Sequence, residues 1–110
     1  MTPLDQRIAL LKLCGADGPN KDGFYYLPSI QEFRVPNEMD IDDNFIRICR
    51  EALFKKDVNA EHYFFFNLAI ILGMMNGPVS AHDVVRMIHA TPEQQAEAIL
   101  RASNLWKEGE

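Results

Sequence analysis

Apolar residues recur along this chain with a spacing that changes from segment to segment. Leu4, Ile8 and Leu11 fall at i, i+4 and i+7, with Leu10 and Cys14 widening the same face. This is the spacing of an amphipathic helix. It predicts a first helix over Pro3–Leu13, with Thr2 as its cap, Pro3 at the first helical position and Gly15 as a left-handed stop. Residues 16–23 hold Asp17-Gly18-Pro19-Asn20 and Asp22-Gly23, which read as a loop. Residues 24–27 are aromatic-rich and read as a strand. In residues 30–35, Phe33 and Val35 share one face, which suits a half-buried second strand ending at Pro36. The two strands predict a hairpin.

Ile41, Phe45, Ile48 and Ala52 then repeat at i, i+4, i+7 and i+11. They predict a second helix over residues 41–54, broadened by Ile46, Cys49 and Leu53. Asp40, Asp42 and Asp43 crowd its start while Lys55 and Lys56 follow its end, the charge order that a helix dipole favours. Residues 62–75 are apolar almost all round, so a third helix there is expected to be buried. Asn76-Gly77-Pro78 is a strong stop. Residues 80–90 read two ways. Ser80-Ala81-His82-Asp83 suits the cap of a short helix, while Val84-Val85 and Met87-Ile88 suit a buried strand. The strand over residues 84–89 is preferred, because a third strand would complete a sheet whose first two cannot stand alone. A last helix over residues 92–106 is capped by Thr91, with Pro92 at its first position and Gln94 completing a capping box. Ala96, Ile99, Leu100 and Ser103 form its inner side. Thr2-Pro3 and Thr91-Pro92 open two similar helices, which convergent capping explains without an internal repeat.

These elements make an α+β protein. The expected architecture is a small, mainly antiparallel sheet of about three strands packed with about four helices in α/β/α-like layers. The 110 residues suit a single domain, 1–110, with a core of its own. The net charge of -5 disfavours direct binding to nucleic-acid phosphate, which depends on Lys and Arg. It suits a basic protein partner, or solubility alone. Cys14 and Cys49 form no paired motif and read as small reduced core residues; a disulfide between them has no support in their spacing. Asp5, Arg7 and Lys12 interrupt any N-terminal signal sequence. The longest apolar run, residues 64–75, is short of the roughly 20 residues that cross a bilayer. The expectation is a soluble cytoplasmic protein with no membrane association.

Candidate chemistry is sparse. Glu38, Asp40, Asp42 and Asp43 form an acidic stretch without the spacing of a calcium-binding loop. Helix-start chemistry accounts for them, and docking of a basic partner is the alternative. His62, His82 and His89 lack metal-ligand spacing. Ser29, Ser80 and Ser103 lie in no nucleophile motif, and no phosphate-binding glycine loop is present. No catalytic residue, metal or cofactor is expected. The aromatics Tyr25, Tyr26, Phe33 and Tyr63-Phe64-Phe65-Phe66 lack the interleaved Lys and Arg of a nucleic-acid platform and read as core.

The stretch Ala90-Thr91-Pro92-Glu93-Gln94-Gln95-Ala96-Glu97-Ala98-Ile99-Leu100-Arg101-Ala102, continued by Leu105-Trp106, resembles the C-terminal segment of small phage and prophage proteins. Those proteins, of uncharacterised function, are associated with an α/β/α, or ABA, sandwich domain. The likeness extends to a short helix ending near Cys14-Gly15 and an aromatic strand, Phe24-Tyr25-Tyr26, after a Gly/Asp loop. It also includes an acidic turn and helix, Asp42-Asp43-Asn44, after Pro36. The family has no established active site, so the resemblance implies structural roles only.

On these grounds the expected function is that of a non-enzymatic phage or prophage accessory protein in the bacterial host cytoplasm. It would bind a host or phage protein, as an anti-CRISPR-like inhibitor of a host defence complex does, through an acidic face. The residues expected there are Glu38, Asp40, Asp42 and Asp43, with Glu32 and Asp57 as exposed neighbours. The alternative is a structural or assembly protein that forms a homo-oligomer, such as a homodimer, through the apolar helix.

Overall fold

The structure, a computed structural model, describes residues 1–37, 39–74 and 80–107. In chain order it holds α1 (Pro3–Leu13), β1 (Tyr25–Leu27), β2 (Glu32–Arg34), α2 (Asp43–Lys56), α3 (Ala60–Ile71), α4 (Ala81–Ile88) and α5 (Pro92–Ala102). The class is α+β, with five helices and a two-stranded antiparallel sheet among the described residues.

α5 is the hub. It packs against α1, α2 and α3, while α1 and α3 each also touch α2. Ala96, Ala98, Ile99 and Leu100 are all fully buried. The two alanines let neighbouring helices approach on both flanks, where longer side chains would hold them apart. Leu10, Leu11 and Leu13 come from α1, Phe45, Ile46, Cys49 and Leu53 from α2, and Ala60, Phe64 and Leu68 from α3. Phe54 and Phe64 meet edge to face with ring centroids 5.9 Å apart, tying α2 to α3.

The capping grammar explains most boundaries. Thr2 Oγ1 accepts from the Asp5 N–H at 3.1 Å, and Gly15, at φ +81°, ends α1 as its sequence position predicts. Thr91 and Gln94 form the reciprocal capping box of α5, at 3.1 and 2.9 Å. α5 stops at Ala102 rather than Trp106, because Asn104 turns left-handed (φ 62°) and the Leu105 N–H donates back to the Leu100 carbonyl at 2.8 Å. α2 starts at Asp43 rather than residue 41, because the Asp42 carboxylate accepts from the Phe45 N–H at 2.8 Å and so is its cap.

The hairpin pairs Tyr25 with Arg34, Tyr26 with Phe33 and Leu27 with Glu32. It needs no third strand. Tyr25 and Leu27 are buried in the helical core, and Asp17 exchanges two backbone hydrogen bonds with Tyr26, at 2.9 and 2.8 Å. Packing on helices supplies what an isolated hairpin lacks. Gly18 lies so close to this strand that a Cβ on it would sit 2.8 Å from the Phe24 carbonyl oxygen.

Two expectations are corrected. Residues 84–89 are not a strand, since Ala81–Ile88 is the helix α4. Ser80 Oγ accepts from the Asp83 N–H and the Asp83 carboxylate accepts from the Ser80 N–H, so local capping decides the state. α3 is also not buried all round, and it ends at Ile71 rather than residue 75. Gly73, at φ +76°, lets the Met74 N–H reach the Ala69 carbonyl at 2.9 Å. Only Ala60, Phe64 and Leu68 of α3 are buried, because α2 and α5 cover one side of the helix. The expected stop at 76–78 lies outside the described residues.

Candidate functional site

α4 is built unlike the other helices. Ala81, Val84, Val85 and Ile88 stand at i, i+3, i+4 and i+7, forming one apolar stripe. None of its eight residues is buried, and Ile88 is 70% exposed. The side turned to the body carries Met87, half-buried against the core, and Arg86. Arg86 donates through Nη2 to the Leu72 carbonyl, one of the acceptors left open at the C-terminal end of α3. That bond fixes α4 with its guanidinium towards the body, while Val84, Val85 and Ile88 stay open to solvent. The capping box keeps the helix started. Hydrogen bonds from the Ser80 backbone and hydroxyl hold the Asp83 carboxyl below its ordinary range. The carboxylate contribution is therefore present above the ordinary range and is lost as the pH falls through the depressed value.

α3 adds a second open apolar face. Tyr63, Phe65, Phe66 and Ile70 are each about half exposed. Phe65 also borders a hollow of about 290 Å³ with His62 and the almost fully exposed Val58. All three of these aromatics were expected in a core that the fold does not extend around them.

The structure keeps Asp40, Asp42 and Asp43 together and sets Asp57 apart. Asp40 and Asp42 border a hollow of about 350 Å³ with Phe33, Arg34, Asn44 and Phe45. Asp43 begins α2 beside them. Glu32 is paired with Arg34, which brings a positive charge to the same hollow. Asp57 caps the opposite end of α2, about 20 Å away at 1.5 Å per residue, and accepts from the Asn59 N–H. Glu38 lies outside the described residues.

A further pair was not anticipated. Cys14, at the end of α1, and Cys49, inside α2, are free thiols whose sulfurs lie 3.2 Å apart. The hydrogen bond lowers the pKa of Cys14 and, together with burial, raises that of Cys49. Their separation of 35 positions hides this contact from any local pattern. The α4 stripe, by contrast, had a signal, since its apolar residues carry the helical period. Among the described residues, no group of three or more His, Cys, Asp or Glu side chains is placed to hold a metal. No helix among them is long and apolar enough to cross a membrane.

No family model, no curated protein and no solved structure matches the chain.

Proposed function

We propose that this is a non-enzymatic binding protein that works by laying the apolar faces of α3 and α4 against another protein. One observation carries the reading: Ala81, Val84, Val85 and Ile88 form a stripe on α4 that stays exposed, and of the helix's apolar side chains Met87 alone is packed against the core. A surface helix that only completed its own domain would turn that stripe inward. Residues at i, i+3, i+4 and i+7 are the anchors by which a helix docks into an apolar groove. Aromatic side chains such as Tyr63, Phe65 and Phe66 are the residue types enriched at the centre of protein interfaces.

A second reading assigns binding to the acidic residues, in a phage accessory protein that inhibits a host defence complex. It is favoured by the hollow where Asp40 and Asp42 flank Phe33 and Phe45, which suits a basic segment of a partner. One experiment separates the two. A photo-crosslinking side chain is placed at Val84 or at Asp40, and cells making the protein are irradiated. The expected result is a protein adduct from position 84 and none from position 40. Adducts from position 40 alone would transfer the function to the acidic residues. No adduct from either position would overturn the binding reading.

A further inference from the structure

The same faces point to a specific occupant. This inference rests on the binding reading above and names its partner. Aromatic side chains offer about 150–250 Å² each when fully exposed, so the half-exposed Tyr63, Phe65 and Phe66 leave on the order of 300 Å². Ile70, Val84, Val85 and Ile88 add roughly 400 Å², so a partner that covers both helices would bury roughly 700 Å², near the ~800 Å² that each partner contributes to a stable interface.

Composition narrows the choice. A partner met only occasionally binds surfaces about as polar as the rest of the protein, whereas the interfaces of permanent homodimers are more apolar. The α4 stripe carries no charge or hydrogen-bonding side chain. Such a surface is covered from the moment of folding, and the partner always present then, in equal amount, is another copy of the same chain.

The stripe also fits itself. Its N-terminal end is small, at Ala81, and its C-terminal end is large, at Ile88. About a two-fold axis, two α4 helices run antiparallel. That arrangement seats Ile88 against the partner's Ala81 and Val84 beside the partner's Val85, large against small. It also opposes the two helix dipoles, with the first-turn Asp83 end of one helix beside the last-turn Arg86 end of the other. We infer that the open faces of α3 and α4 are the two-fold interface of a homodimer, centred on antiparallel α4 helices.

The test is sedimentation equilibrium of the full chain from low to high micromolar concentration, with Ile88→Ser and Phe66→Ser measured alongside. Both side chains are more than half exposed, so the variants keep the helical circular dichroism of the parent. The expected result is a mass twice 12.6 kDa for the parent and loss of the dimer in both variants. If one variant misfolds, the other decides. A parent that stays at 12.6 kDa at every concentration overturns the homodimer. So does a dimer that survives both substitutions. If the parent is monomeric while a probe at Val84 still captures a different protein, the binding reading stands and only its occupant changes.

Discussion

Phe64→Ala is expected to lower the free energy of unfolding by about 3–5 kcal/mol. Phe64 is 1% exposed, sits on the inner side of α3 and meets both Phe54 and Phe65 ring to ring. Removing it deletes the largest fully buried side chain among the described residues and leaves a cavity where α2 and α3 join. The loss is a large share of the roughly 5–15 kcal/mol that holds a domain together. Urea unfolding at a dilution where the chain is monomeric measures it. Phe66→Ala, two positions along the same helix, should change that value by less than about 0.5 kcal/mol, because its ring faces solvent in the monomer. Equal losses at the two positions would mean that α3 is not one-sided, and the account of its outer face would fail.

Ala98→Leu is the second large effect. On an exposed helical surface this change is nearly neutral, since leucine is almost as good a helix former as alanine. At position 98 the side chain is fully buried, on the helix that α1, α2 and α3 all contact. The added carbons force those helices apart, at a cost of about 1–3 kcal/mol. The result should be a lowered melting temperature with the helical content retained below the transition. An unchanged melting temperature would show that α5 is not the hub around which the other helices pack.

The parts of this fold legible in the sequence are those that local chemistry decides. Thr2, Gly15 and Thr91 with Gln94 act within one turn of their own positions, and each does what its residue type predicts. Phe24 to Leu27 and the residues before Pro36 supplied enough strand character to place a hairpin, although its ladder is shorter than the pattern suggested. What failed was the inference from a non-local need. A third strand was expected at residues 84–89 because two strands seemed too few, yet the core contact of Tyr25 and Leu27 had already met that need. The Ser80 and Asp83 box, visible beforehand, was the better guide.

The candidate site was legible only in part, for a related reason. Apolar character all round α3 reads as burial only if neighbours surround the helix. α2 and α5 cover one side of it, so Tyr63, Phe65, Phe66 and Ile70 are left open. Asp40, Asp42 and Asp43 stay together at the start of α2, while Asp57, named as their neighbour, stands about 20 Å away along the helix. Asp42 is engaged as a cap and Glu32 in an ion pair. The Cys14–Cys49 contact depends on how α1 crosses α2, which no periodicity encodes.

In the homodimer a second copy of the chain covers the apolar stripe of α4. Amide hydrogen exchange of the purified chain at high concentration tests this most directly. An eight-residue helix is too short to persist without packing, and α4 is held to its own chain by Met87 and the Arg86 bond while its apolar stripe is open. The α4 amides behind Val85 and Ile88 should exchange slowly, approaching those of α5, and this protection should fall on dilution. Exchange of those amides at free-peptide rates at every concentration, beside a fully protected α5, would contradict it.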